Sequence, residues 1–202
     1  MASGFGAMMA RMNYITRWGL MRSGRAETLS EHAAMTALVA HILACCAIEL
    51  FGAEDVDEKR VVCRALYHDA AEILTGDMPT PVKHSNESLR AEYKKVEKAA
   101  QERLLGMLPE TLKGRMSEVF DSAALSERER RIIKAADKLA ALIKCIEEEA
   151  GGNTEFASAK RSTLATLAEA PLPETKYFIE EFLPAYSLTL DELLETGNGA
   201  QT

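Results

Sequence analysis

The 202-residue sequence predicts an all-α fold, a compact single-domain helical bundle, and three observations carry that expectation. Apolar residues recur at helical spacing along nearly the whole chain, and no run of alternating β-branched residues reads as a strand. Glycine and proline fall between the periodic stretches. A hydrophobic content of 47% over this length suffices for one well-buried core but not comfortably for two. One domain over 1–202 is therefore expected, with a core from about 11 to 194 and a frayed C-terminal tail, "TGNGAQT".

Each element has its own signal. A short N-terminal helix is expected over about 5–16, followed by a loop, "RWGLMRSGRAETLS", containing Gly19 and Gly24. Ser30 offers an N-cap for the apolar helix "EHAAMTALVAHILACCAIELF", which ends near Gly52. The next helix is expected from about Asp57 to Leu74, closing at Gly76, because Pro79 and Pro81 forbid continuation. An amphipathic helix, "SLRAEYKKVEKAAQERLLGML", stops at Pro109. Ser126 and Glu129 form a capping-box pattern for the helix that ends at Gly151 and Gly152. Asn153 starts a further helix to about Ala170, Pro171 and Pro173 mark a break, and "KYFIEEFL" precedes a last helix capped by Thr189 and Glu192.

Composition limits the partners. A net charge of -7 and a pI near 5.3 argue against a phosphate-backbone binder and against an anionic membrane surface. No apolar run is expected to reach the roughly 20 residues of a membrane span, and the N-terminus lacks a signal-peptide pattern. Cys45, Cys46, Cys63 and Cys145 lie in apolar helical stretches without C-x-x-C spacing, so they read as buried free thiols in a reducing compartment, the cytoplasm.

The chemistry concentrates in "RALYHDAAEILTGDMPTP", Arg64 to Pro81. On a continuous α-helix Glu72 would sit beside both His68 and Asp69, surrounded by Leu66, Ala70, Ala71 and Ile73. Burying that much charge without a partner is costly. His32, in the first turn of its helix, and Asp137, flanked by Ile133, Ala140 and Ala141, are potential ligands on other elements. Imidazole and carboxylate together suit divalent transition ions held in a bundle core. Taken singly, His32 also fits an ordinary structural histidine, and Asp137 could pair with Lys134 or Lys138 on a solvated face. His41 lies nine residues from His32, about half a turn out of phase, and should not join the same site. His84 fits an exposed loop histidine.

The order His32, His68-Asp69, Asp137 on successive helices resembles the HD-domain metal-dependent phosphohydrolases, and within them the bacterial 5'-deoxynucleotidases. The closer likeness rests on "RWGLM", "SEHA", "YHDAAEILTGDMPTPVK", "KAADKLAALIKCIEE" and "LDEL", and covers about Arg11 to Leu194. It departs at Gly19, where the family has proline. The resemblance implies that His32, His68, Asp69 and Asp137 hold one divalent metal ion (Co, Mn, Zn, Ni, Fe or Cu). It places Glu72 next to the ion's water, Arg17 and Trp18 against the substrate with Asp69 facing it too, and Asp77, Met78, Pro79 and Thr80 in the nucleotide pocket. It also implies a homodimer.

The residues support such chemistry. A divalent ion acidifies a bound water and polarises a phosphoryl oxygen, Glu72 can orient or deprotonate that water, and Arg17 offers a planar fork for phosphate. Each has a plainer reading: Arg17 as a solvated helix-end arginine, Trp18 as core, Asp77 as a turn residue after glycine, Lys83 as a loop lysine rather than a phosphate attractor. The expected activity is hydrolysis of deoxyribonucleoside 5'-monophosphates to deoxyribonucleoside and phosphate. Competing readings are another HD phosphohydrolase activity, on nucleoside triphosphates or phosphodiesters, and a catalytically silent nucleotide- or partner-binding module.

Overall fold

The most apolar helix starts at a reciprocal cap. Thr28 Oγ1 accepts from the Glu31 amide while the Glu31 carboxylate takes the Thr28 N–H at 2.7 Å. Ser30, the expected cap, lies inside the first turn and donates to Asn13 Oδ1 at 2.5 Å. The T-x-x-E spacing of Thr28 and Glu31 is the better signal, since it satisfies two amides where Ser30 alone could satisfy one.

The computed structural model describes residues 2–79, 82, 86–169 and 172–196. The elements are α1 (Phe5–Met9), running into a 3-10 turn at Ala10–Tyr14, then α2 (Leu29–Glu49), α3 (Glu58–Leu66) and α4 (Glu72–Thr75). They continue with α5 (Glu87–Gly106), α6 (Glu110–Ser117), α7 (Glu127–Ala150), α8 (Ala157–Glu169), α9 (Pro173–Glu181) and α10 (Leu190–Thr196). No β-strand occurs among the described residues; Thr16 and Thr28 form an isolated antiparallel bridge.

Helix α2 packs between α3 and α7, and α8 covers the other side of α7. Val39, Leu43 and Ala47 of α2 meet Val61 and Ala65 of α3 and Ile132, Leu139, Leu142 and Ile143 of α7 in one core, closed by Phe178 and Leu183. Each fully buried leucine or isoleucine there contributes about 1.5–3 kcal/mol. Over its 21 residues α2 is, against the sequence expectation, long and apolar enough to span a membrane. Here it is the core helix, with Leu29, His32, Ala33, Val39, Ala40, Leu43 and Ala44 buried within the protein.

Two prolines stand at helix starts that the sequence reading does not place there. Pro109 does stop α5, but it also precedes a helix, α6, that the sequence does not announce. Pro173 opens α9 at its first turn, where a missing N–H costs nothing. Cys46 and Cys145 are buried, but Cys63 is exposed and Cys45 is half-buried; all four are free thiols.

The single helix expected from Asp57 to Leu74 is divided. From Ala65 to Leu74 the amides bond three residues back: His68 to Ala65, Ala70 to Tyr67, Glu72 to Asp69, Ile73 to Ala70. The cause is visible at Ala65, whose carbonyl would accept the Asp69 amide in an α-helix. It accepts His68 Nδ1 at 2.7 Å instead.

Candidate metal centre and substrate pocket

That tightened turn brings His68 and Asp69, neighbours in sequence, to one point. A carbonyl can only accept, so the Ala65 bond places the proton on His68 Nδ1 and, in the neutral ring, a lone pair on Nε2. His68 Nε2 lies 3.0 Å from Asp69 Oδ2 and 3.8 Å from Asp137 Oδ1. His32, fully buried in the first turn of α2, sets Nε2 3.1 Å from Asp137 Oδ1 and 3.8 Å from Asp69 Oδ2. One donor atom from each of the four lies within 4.8 Å of all the others. His41 is not among them and sits with Cys45 and Glu58.

The donor set fits a divalent ion. Two carboxylates this close repel unless a positive charge lies between them. His68 Nε2 is buried and makes no well-aligned hydrogen bond, although it faces both carboxylates. Two imidazoles and two carboxylates suit Mn, Fe, Co, Ni or Zn. Without an ion, protons take its place: burial opposes charge on His68, but Asp69 and Asp137 outweigh it and raise its pKa to about 10. Burial likewise opposes charge on Asp69, whose pKa His68 nonetheless draws down to about 2. Against the burial penalty, Asp137 is held well below the carboxylate range by its hydrogen bond to His32 and by the facing His68 imidazole, and its second oxygen meets Lys138 Nζ at 3.0 Å.

Arg17 reaches this centre from the loop before α2. Its Nη1 contacts Asp69 Oδ2 at 3.3 Å, and its Nε contacts Glu27 Oε2 at 3.2 Å. Burial opposes its charge, yet Asp69, Glu27, Asp137 and Asp77 together raise its pKa. Trp18 donates its indole N–H to the same Glu27 oxygen at 2.8 Å and packs edge-on against Phe156. Its φ of +61° is rare for a side chain of this bulk and aims the ring across the loop.

A cavity of about 640 Å³ opens beside the centre, with Arg17, Trp18, Asp77, Met78, Pro79 and Asp137 in its wall. Thr80 and Lys83, like His84, lie outside the described residues. Glu72 is buried at the start of α4, its amide bonded to the Asp69 carbonyl at 2.9 Å. Sequence reasoning missed Glu27 and the hydroxyl row Ser162, Thr163, Thr166 of α8, which completes the cavity wall, whereas Lys138 reads from the sequence as a partner of Asp137. Glu27 carried a faint signal, as the one acid in a loop with Arg17, Arg22 and Arg25; the α8 row carried none.

The same loop is fastened to the far end of α7. Buried Glu148 accepts from the Gly24 and Arg25 amides at 2.7 and 3.2 Å, from Asn153 Nδ2 at 2.7 Å and from Lys144 at 2.5 Å. These bonds, with Lys144 in the lead, hold its pKa at about 2 against the opposing effect of burial.

The fold is that of the HD-domain phosphohydrolases. An HD-domain phosphohydrolase from Listeria innocua superposes with a TM-score of 0.78 at 23% identity, over 90% of this chain and 87% of that one. A cyanophage S-2L HD phosphohydrolase, DatZ, solved with dA and one catalytic Zn²⁺ ion, superposes at 0.65 with 18% identity, over 88% and 95%. The chain belongs to the YfbR-like 5'-deoxynucleotidase family, whose profile matches residues 4–186. Curated 5'-deoxynucleotidases of Shigella dysenteriae and Vibrio vulnificus are 46% and 47% identical to it over 191 residues, covering 95% of this chain and 96% and 98% of theirs.

Proposed function

We propose that this chain is a metal-dependent 5'-deoxynucleotidase that hydrolyses deoxyribonucleoside 5'-monophosphates to deoxyribonucleoside and phosphate, within a single domain. The observation that carries the reading is the convergence of His32, His68, Asp69 and Asp137 at the wall of a cavity that also presents Arg17 and Asp77.

The four residues would hold one divalent ion, which supplies an acidified water and a Lewis acid for the phosphoryl group. Around it the chain's own groups divide the work. Glu72 accepts the proton of the attacking water. Arg17, steered by Glu27, places its guanidinium on the phosphate and stabilises the charge that gathers as the P–O bond breaks. Asp77 accepts from the 3'-hydroxyl, and Trp18 closes the sugar side so that a 2'-hydroxyl finds neither room nor a partner. Met78 and Pro79 line the nucleotide side of the pocket. Direct attack by water needs no covalent phosphoenzyme.

The test is phosphate release from matched deoxyribo- and ribonucleoside 5'-monophosphates plus one deoxynucleoside triphosphate, with EDTA, Mn²⁺ or Co²⁺. Metal-dependent release confined to the deoxyribose monophosphates is expected. Release from the triphosphate alone would reassign the pocket, and silence with every ion would point to a binding module.

Four free thiols support a cytoplasmic location. The exposed Leu190, Leu193 and Leu194 of α10 offer an apolar face for a homodimer. A monomer in sedimentation at micromolar concentration would overturn the dimer.

A further inference from the structure

Away from the centre, α2 and α3 bring together three donors of different kinds. His41 and Cys45 stand four residues apart on one face of α2, and Glu58 is the first residue of α3. One donor atom from each lies within 4.8 Å of the other two. The helices run antiparallel: His32 near the start of α2 meets His68 just past the end of α3, so His41 and Cys45 farther along α2 meet the start of α3. Glu58 is not needed to cap its own helix, since Asp57 Oδ1 already accepts from the Lys59 and Arg60 amides at 3.0 and 3.1 Å. Among the described residues its carboxylate makes no ion pair and instead takes the Cys45 S–H at 3.9 Å.

We infer that His41, Cys45 and Glu58 form a second metal site, separate from the His/Asp centre, for a borderline-soft divalent ion of the Zn²⁺ class. A thiolate and an imidazole select such ions over Mg²⁺ or Ca²⁺, and three protein ligands leave one tetrahedral position to water. On binding, the Cys45 S–H bond breaks, its proton leaves to solvent, and the sulfur lone pair forms the S–metal bond. The local field favours a cation: besides burial, which comes first, the carboxylates of Glu58 and Glu49 disfavour the bare thiolate. His41 is exposed while Cys45 and Glu58 are half-buried, so an ion can enter from solvent. Once bound it pins the first turn of α3 to α2, the two helices that carry His32 and lead into the His68-Asp69 turn.

Co²⁺ separates this site from the catalytic one, because only a sulfur ligand gives a thiolate-to-cobalt charge-transfer band. The experiment titrates Co²⁺ into the full chain in a Cys63→Ser background, which removes the exposed thiol. Two ions per chain are expected, one of them with the sulfur band. Cys45→Ser and His41→Ala should each lose the band and one equivalent, whereas Asp137→Asn should keep the band while losing the other equivalent. In the unaltered chain, Zn²⁺ should slow alkylation of Cys45. A single equivalent without a sulfur band, a band that survives Cys45→Ser, or an alkylation rate indifferent to Zn²⁺ would overturn the site. Hydrolysis by His41→Ala should match the parent. That readout belongs to the proposed activity; if the activity fails, the sulfur band still tests the second site on its own.

Discussion

Arg17 is tied to Glu27 twice: its amide donates to the Glu27 carbonyl at 2.9 Å, and its Nε donates to Glu27 Oε2 at 3.2 Å. The first bond belongs to the short bridge that closes the 16–28 loop, so the loop's neck and the guanidinium's aim are fixed by one residue. Trp18 uses the same carboxylate oxygen. A single buried acid therefore orients both side chains assigned to the substrate's phosphate and sugar.

Glu27→Gln should keep the shape and lose the charge. Losing a hydrogen bond to a charged partner costs about 1.5–3 kcal/mol, which corresponds to about 10- to 100-fold in kcat/KM. The loss should fall mostly on KM, with bound metal unchanged in elemental analysis. Metal lost in parallel with activity would move Glu27 to support of the centre.

Glu72→Ala should retain the ion and lose turnover by about 10²- to 10⁴-fold, the range for removing a general base. Equal loss of metal and activity would mark Glu72 as a ligand or a structural residue.

Asp77→Ala should reduce the ratio of kcat/KM for deoxyribo- over ribonucleotides by about tenfold or more, with less effect on the better substrate's kcat. An unchanged ratio would remove Asp77 from sugar recognition.

Glu148→Gln tests the anchor of the loop through its pH dependence. The folded carboxyl titrates at about 2, below the ordinary value of 4.5, so its stabilisation is complete above that ordinary value and fades as pH falls toward 2. At pH 7 the variant should melt lower by about 4–8 °C, from a loss of about 2 kcal/mol in a chain of this size. The gap between the two melting curves should narrow steadily below about pH 4.5. A gap independent of pH would mean that shape, not charge, holds the loop.

Much of this was written in the sequence because local rules act locally. The Ser126–Glu129 and Thr189–Glu192 boxes and the stop at Gly151 read correctly from spacing and type, and the four His/Asp candidates named from the sequence lie together in the fold. What failed depended on competition or on distance. The break at His68 arises because an imidazole outcompetes a backbone amide for the Ala65 carbonyl, which no apolar periodicity records. Glu27 and the hydroxyls of Ser162, Thr163 and Thr166 gain their roles only when the 16–28 loop and α8 meet over Asp137, far along the chain. Pro173 misled because the same ring that ends one helix also suits the first turn of another.

Trp18 is the only tryptophan in the chain. Its indole is hydrogen-bonded in the wall of the cavity and rests against Phe156, so all tryptophan emission from this protein originates beside the proposed nucleotide pocket. The protein thus carries its own optical reporter. Stopped-flow fluorescence can time arrival of the nucleotide and departure of the nucleoside at that pocket, in the unlabelled chain and separately from phosphate release.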